Sequence, residues 1–110
     1  MVKPKKLKPG SKIGIVSPSY WLDKDDLEKS AKYFCNAGYR LKLGRSNHLQ
    51  YGPFAGTAQE RADDINEMFS NPEIDAIFCA RGGYGANKVL PLIDYENIRA
   101  NPKIFLGYSD

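Results

Sequence analysis

The fold is predicted first from the segment at residues 101–110, which reads NPKIFLGYSD. Pro102 disfavours helix in the residue before it, so an extended segment can follow. The unbroken apolar run at residues 104–106 is typical of a parallel strand that is covered on both faces. Gly107 then allows the backbone to turn sharply. We therefore expect a buried strand that ends in a turn at Ser109.

The turn after this strand carries the pattern Gly-x-Ser at residues 107–109. A serine two residues after a glycine, at the end of a buried strand, is the first half of the G-x-S-x-G nucleophile elbow. Such a turn exposes the hydroxyl, and the next backbone N–H can point at a developing oxyanion. The alternative interpretation is a turn serine that caps the following helix. The tripeptide alone does not decide between the two.

Upstream of this segment, strands and helices alternate. Strands are predicted at residues 12–17, 39–44 and 75–80, where apolar and β-branched residues cluster. Helices are predicted from residues 23–26 to Gly38, from a capping box at Thr57 and Glu60 to Asn71, through Val89 to Pro91, and over residues 93–98. This alternation requires parallel pairing with right-handed crossovers. We predict an α/β fold of flavodoxin-like type, similar to class I glutamine amidotransferases, with an open, mostly parallel sheet and helices on both faces.

Two apolar stripes at helical spacing predict the buried faces of the longer helices. They comprise Leu27, Ala31, Phe34 and Ala37 in the first helix, and Ala62, Ile65, Met68 and Phe69 in the second. Cys35 and Cys79 fall in apolar patterns, so we expect reduced core thiols, as in a cytoplasmic protein. Residues 45–56 are predicted to form a polar loop. It holds His48, the single histidine, and with no Cys-x-x-Cys either, we predict no metal or cofactor site.

Composition indicates one small globular domain, since 42% of the 110 residues are hydrophobic and 26% are charged. The formal net charge of +3 comes largely from four lysines between residues 3 and 8. This basic arm can contact nucleic acid or an acidic membrane, or it can be a solvated lead-in to the first strand. We favour the lead-in and expect neither partner. The sequence also lacks a signal-peptide pattern and a membrane-spanning apolar run.

Ligands of an open parallel sheet bind outside the carboxyl ends of its strands. Four segments are predicted there: residues 17–21, 45–47, 81–85 and 107–110. The glycine-rich segment 81–85 lets the backbone approach a ligand, and its N–H groups favour an anion or oxyanion. A tight turn that needs glycine explains it equally well, whereas a phosphate loop lacks the required pattern.

Side chains of these segments leave further alternatives open. Arg81 can hold a substrate carboxylate, or it can pair with Asp94 or Asp110 and brace the turn. Tyr20 and Trp21 can cover a substrate, or they can pack over the first helix.

Four motifs at these positions together resemble the LD-carboxypeptidases, serine peptidases that include muramoyl-tetrapeptide carboxypeptidases and microcin C self-immunity proteins. The motifs are Ser17-Pro18-Ser19, Gly56-Thr57-x-x-Glu60-Arg61-x-x-Asp64, CARGGYG at residues 79–85 and NPK-x-F-x-GYSD at residues 101–110. The resemblance implies that Ser109 is the nucleophile, and that the backbone N–H groups of Asp110 and of Gly82 or Gly83 form the oxyanion hole. We expect substrate contacts from Arg81, Tyr84, Ser17 and Ser19.

In this family the catalytic base and its orienting acid are a His and a Glu of a separate C-terminal domain, and neither has a counterpart here. We therefore expect residues 1–110 to be an N-terminal, nucleophile-bearing domain that is inactive alone, because a serine needs a positioned base. The implied reaction cleaves an L,D peptide bond and releases D-Ala from murein tetrapeptides during cell-wall recycling. It takes place in the cytoplasm, in a homodimer and without a metal. The alternatives are a self-immunity peptidase and a non-catalytic module that binds an anion at its glycine-rich segment.

Overall fold

A four-stranded sheet forms the centre of the molecule in a computed structural model, which describes residues 7–80 and 86–106. The strands are β1 (Lys12–Val16), β2 (Arg40–Leu43), β3 (Ala76–Cys79) and β4 (Ile104–Leu106). Their order across the sheet is β2-β1-β3-β4, and all three pairings are parallel. This is the order of flavodoxin-like sheets, so the predicted α/β fold is confirmed.

Within the described residues, four helices connect the strands, and the first two begin at the capping residues that the sequence predicts. They are α1 (Lys24–Asn36), α2 (Ala58–Ser70), α3 (Ala86–Val89) and α4 (Tyr95–Ala100), with 3₁₀ turns at Arg45–His48 and Leu90–Leu92. Asp23 caps α1 by accepting a hydrogen bond from the Asp25 N–H at 2.7 Å. No helix within the described residues is long and apolar enough to cross a membrane.

The sheet is packed on both faces. On one face, β1 and β3 pack against α2 and α3 through a buried apolar cluster of Val16, Ala62, Ile65, Met68, Phe69, Ile74, Ile77, Cys79 and Val89. On the other face, Ile13, Ile15 and Ala76 are buried, with Phe34 of α1 packed against them. The Phe34 ring meets the Phe78 ring edge to face, with ring centroids 5.0 Å apart. The predicted stripe of α2 is confirmed, because all four of its residues lie in the buried cluster on the first face.

The predicted stripe of α1 is correct only in part. Leu27 is buried, and Ala31 and Phe34 are half-buried, but Ala37 and Cys35 are exposed. Ala37 is the C-cap residue and lies beyond the last turn that faces the sheet. Cys35 follows Phe34, so a helical rotation of about 100° carries it away from the sheet. The prediction of a core thiol holds for Cys79 and is wrong for Cys35.

The last described strand is less buried than its apolar sequence predicts. In β4, Phe105 is 41% exposed and Leu106 is 51% exposed. Among the described residues β4 pairs only with β3, and Phe105 stacks on Phe69 at a centroid distance of 5.9 Å. The prediction of a strand covered on both faces is therefore wrong for the described part of the chain.

Candidate functional site

The carboxyl ends of all four strands lie at one edge of the sheet. The register pairs Ile15 with Leu43, Val16 with Cys79, and Phe78 with Leu106. This edge also brings together the segments 17–21 and 45–47, as expected. The predictions for Ser109, Asp110, Gly82, Gly83, Arg81 and Tyr84 lie outside the described residues.

The two serines that were expected to contact substrate are both buried. Ser17 is fully buried, and its hydroxyl donates to Asn47 Oδ1 at 2.8 Å. Its backbone N–H donates to Ser46 Oγ at 2.9 Å. Ser19 is 1% exposed, and its carbonyl accepts a hydrogen bond from the Ala55 N–H at 2.9 Å. Both serines therefore hold the edge together in this structure, and substrate contact by their side chains stays a prediction.

A buried carboxylate organises the segment after β2, where the sequence predicts only a polar loop. Asp64 of α2 accepts a hydrogen bond from the Ser46 N–H at 3.0 Å and another from the Ser46 hydroxyl. The Asn47 amide donates to the carbonyls of Ile15, at 2.6 Å, and Gly44, at 3.0 Å. Ser46 and Asn47 are therefore the buried residues of a 3₁₀ turn that ties β1, β2 and α2 together.

A second buried side chain of α2 reaches the segment after β1. Arg61 is 3% exposed, and its Nη1 donates to the carbonyl of Pro18 at 3.1 Å and, at the longer distance of 3.5 Å, to that of Ser19. Its Nε donates to the Thr57 carbonyl at 3.3 Å, and its Cζ lies 4.8 Å from the centroid of the Phe54 ring. The Arg61 guanidinium thus contacts both the segment after β1 and the loop that holds Phe54.

The start of α2 is fixed by the predicted capping box. The Thr57 N–H donates to Glu60 Oε1 at 2.9 Å, and the Glu60 N–H donates to Thr57 Oγ1 at 3.2 Å. The hydrogen bond from the Thr57 backbone is the main cause that lowers the pKa of Glu60 below its usual value. The two bonds set where α2 begins, and with it the positions of Arg61 and Asp64.

The opposite end of α2 is capped from the segment before β4. Lys103 Nζ donates to the carbonyls of Met68, at 2.8 Å, and Asn71. A cation at a helix C-terminus is favourable because the carbonyls there carry partial negative charge. Burial lowers the pKa of Lys103, and the charge of Asp75 acts in the opposite direction.

An apolar groove of about 210 Å³ lies between the sheet and the helices α2 to α4, next to this edge. It is lined by Pro18, Ile65, Phe69, Cys79, Ala86, Val89, Leu90, Ile93, Tyr95, Ile98 and Phe105. Burial raises the pKa of the Cys79 thiol to about 11. Cys79 is therefore a neutral apolar group of the groove wall at ordinary pH.

The aromatic residues after β1 pack on the neighbouring loop. Tyr20 forms an isolated antiparallel bridge with Phe54, and their ring centroids lie 6.0 Å apart. The Trp21 N–H donates to the Pro53 carbonyl at 3.1 Å, and the residue is 38% exposed. His48 is exposed. Within residues 7–80 and 86–106 no group of three or more His, Cys, Asp or Glu is placed to hold a metal ion.

Arg61 and Asp64 hold the segments at this edge in place. Both belong to the motif at residues 56–64, but neither was predicted to have a structural role. Both lie at the helical spacing of the apolar stripe, since Arg61, Asp64, Ile65 and Met68 follow an i, i+3, i+4, i+7 pattern. Charged residues at stripe positions indicate buried, hydrogen-bonded side chains. That pattern was the signal available in the sequence.

The parallel sheet and its strand order define a flavodoxin-like α/β domain, a class in which ligands bind at the carboxyl edge of the sheet. The chain belongs to the LD-carboxypeptidase family, because residues 13–110 match the family's N-terminal domain.

Two curated relatives agree with this assignment. The chain is similar to the probable murein peptide carboxypeptidase of Bacillus subtilis, at 39% identity over 98% of the chain and 34% of that protein. It is similar to the murein tetrapeptide carboxypeptidase of Pseudomonas aeruginosa, at 32% identity over 90% of the chain and 33% of that protein. The chain thus spans about a third of the length of these relatives.

A solved structure shows the same fold. The microcin C7 self-immunity protein MccF, in complex with aspartyl sulfamoyl adenosine, superimposes with a TM-score of 0.94 at 33% identity. The match covers 99% of this chain and 33% of that one. The family thus includes both murein carboxypeptidases and self-immunity proteins.

Proposed function

We propose that this chain is the nucleophile-bearing, N-terminal domain of a serine carboxypeptidase that releases D-Ala from murein tetrapeptides by hydrolysing an L,D peptide bond. One observation carries the proposal: the family match spans the segments at residues 81–85 and 107–110, which directly follow the adjacent parallel strands β3 and β4. Strands that pair in this register end at the same edge, where α/β enzymes bind their ligands. The murein carboxypeptidases among the relatives support the peptide substrate.

The proposed chemistry is acyl transfer. The Ser109 hydroxyl attacks the scissile carbonyl carbon, a base takes its proton, and the carbonyl oxygen becomes an oxyanion. The N–H groups of Asp110 and of Gly82 or Gly83 are proposed to stabilise that oxyanion. The C–N bond then breaks, the amine of D-Ala receives the proton, and water hydrolyses the acyl-enzyme. Arg81 is proposed to bind the carboxylate of D-Ala, with Tyr84, Ser17 and Ser19 nearby.

The base is proposed to be a His oriented by a Glu, both from a further domain that is absent from residues 1–110. The working protein is proposed to be a cytoplasmic homodimer that needs no metal or cofactor and binds neither nucleic acid nor membrane. Residues 1–110 alone are then inactive, because no base activates the serine. Measurable release of D-Ala by residues 1–110 alone would contradict this part of the proposal.

The decisive experiment uses the protein that carries this chain and a tetrapeptide ending in L-Lys-D-Ala. Ser109→Ala is expected to lower turnover by about 10³-fold or more while the protein stays folded. Ser70→Ala, which removes an exposed hydroxyl from α2, is the matched control and should leave turnover unchanged. A fluorophosphonate probe should label the wild type at Ser109. A non-catalytic anion-binding module would show neither labelling nor D-Ala release.

A second candidate is a self-immunity peptidase, and the superposition on MccF with its bound aspartyl sulfamoyl adenosine favours it. The two candidates differ in substrate and share the proposed nucleophile. Comparing kcat/KM for the tetrapeptide and for an aminoacyl sulfamoyl nucleoside distinguishes them. Preference for the nucleoside would replace murein recycling with self-immunity.

A further inference from the structure

The segment after β1, residues 17–21, is held in place by α2 and by the neighbouring loops. The carbonyls of Pro18 and Ser19 both lie within hydrogen-bond distance of Arg61 Nη1, at 3.1 and 3.5 Å. The same segment is joined to the neighbouring loop by the hydrogen bonds from the Ala55 N–H to Ser19 and from the Trp21 N–H to Pro53. Its backbone therefore has a fixed path across the edge where ligands are expected.

Burying an arginine side chain costs free energy that burying an apolar side chain does not. A charged group loses its hydration on burial, and an apolar residue of similar volume packs a core equally well or better. What an apolar residue cannot do is hold carbonyl groups in defined orientations. The planar guanidinium donates from several N–H groups in a rigid fork, so it fixes the positions of its acceptors relative to α2.

The surroundings of Arg61 are arranged to hold the guanidinium itself. Its Nε donates to the Thr57 carbonyl, and its Cζ lies 4.8 Å from the Phe54 ring centroid. Thr57 is the N-cap of the same helix, so the arginine is anchored at the end of α2 that the capping box fixes. The side chain thus bridges α2 and the two loops with little freedom to move.

We propose that Arg61 is a positioning residue for substrate binding, acting through the backbone of Pro18 and Ser19 without touching the substrate. The inference deepens the proposed function and rests on it. A loop that is misplaced by a fraction of an ångström binds substrate less well, although the nucleophile and its base are unchanged. Loss of Arg61 therefore raises KM more than it lowers kcat.

The test uses Arg61→Lys in the protein that carries this chain, because lysine keeps the charge and loses the planar fork. The KM for the tetrapeptide is expected to rise about tenfold, with kcat within about threefold of the wild type. Gln59→Ala, at an exposed position on the same helix, is the control and should change neither constant. Hydrogen exchange at the Trp21 and Ala55 amides is measured in parallel and is expected to be faster in Arg61→Lys alone.

The outcomes separate a positioning role from a structural one. An unchanged KM in folded Arg61→Lys overturns the proposal, as does unchanged exchange at both amides. If Arg61→Lys does not fold, Phe54→Leu removes the ring beside the guanidinium, together with the contact of that ring to Tyr20, and should raise KM in the same direction by a smaller factor. An unchanged KM there overturns the proposal too.

Failure of the proposed function gives a different result. A wild-type protein that releases no D-Ala refutes the carboxypeptidase assignment and leaves the exchange measurement to judge Arg61. Faster exchange at both amides then upholds the positioning of this segment, and equal exchange refutes it.

Discussion

Asp64 on α2 accepts hydrogen bonds from both the backbone N–H and the hydroxyl of Ser46, a residue 18 positions earlier in the chain. The Ser46 oxygen in turn accepts a hydrogen bond from the Ser17 N–H, so one carboxylate fixes the segments that follow β1 and β2. Because these groups are buried, a missing partner leaves donors without an acceptor.

Asp64→Ala is therefore expected to lower the free energy of unfolding by about 2 kcal/mol, since the Ser46 N–H and hydroxyl lose their acceptor. Urea denaturation of the protein that carries this chain measures the change. Glu67→Ala, at an exposed position on the same helix, is the control and should fall within about 0.5 kcal/mol of the wild type. Equal stability of the two variants would refute the role given to Asp64.

Gly44→Ala tests the same cluster from the other side. A Cβ atom on Gly44 would clash with the Asp64 carboxylate, which cannot withdraw without losing Ser46. We expect a loss of about 2 kcal/mol, as for an overpacked core position. In the double variant with Asp64→Ala the clash is relieved. The double variant should therefore lose less free energy of unfolding than the sum of the losses of the two single variants. Strict additivity would show that the two sites are independent.

The capping box predicts a pH dependence of stability. The pKa of Glu60 is lower in the folded state than its ordinary value of 4.5, mainly because the Thr57 N–H donates to its carboxylate. The resulting stabilisation is complete above the unfolded-state pKa and is lost as the pH falls through the lower folded-state pKa. Glu60→Gln should therefore be less stable than the wild type at pH 7, with the difference shrinking in acid. Urea denaturation measures the free energy of unfolding at each pH, and Glu28→Gln on α1 is the control. A difference between Glu60→Gln and the wild type that stays constant from pH 7 into acid would contradict the role given to Glu60.

The two thiols should differ in reactivity. Cys35 is exposed, whereas Cys79 is buried and its pKa is raised to about 11. Because only the thiolate is alkylated, iodoacetamide at pH 8 should modify Cys35 and spare Cys79 until urea unfolds the protein. Mass spectrometry of Cys35→Ser gives the readout of this labelling, and rapid labelling of that variant would contradict the burial of Cys79.

The raised pKa of Cys79 also predicts a pH dependence of stability. The free energy of unfolding should fall as the pH rises above the ordinary value of 9.0.

Strands, caps and topology could be predicted from the sequence because each depends on local chemistry. The capping box at Thr57 and the apolar stripe of α2 need only residues a turn apart. The buried roles of Arg61 and Asp64 depend instead on segments 18 to 43 residues away, so spacing along the helix indicates burial without naming the partner.

The errors have the same origin. The apolar run of β4 predicts burial, but exposure depends on which elements lie beside the strand. Cys35 lies in an apolar pattern, yet a helix exposes one side of such a pattern when it rests on a sheet. The 3₁₀ turn at Arg45–His48 was hidden because Ser46 and Asn47 are ordinary loop residues until Asp64 and Ser17 give them partners.

The strand order has a consequence for synthesis on the ribosome. The inner strand β1 is flanked by β2 and β3, and Lys12 is joined to Asp75 across 63 residues of chain. At translation rates of about 5–20 residues per second, β1 waits roughly 3–13 s for its second neighbour. Until β3 emerges, Ile13 and Ile15 have at most half of their final strand pairing and Val16 has none, so the nascent chain exposes an incomplete apolar sheet that chaperones can bind.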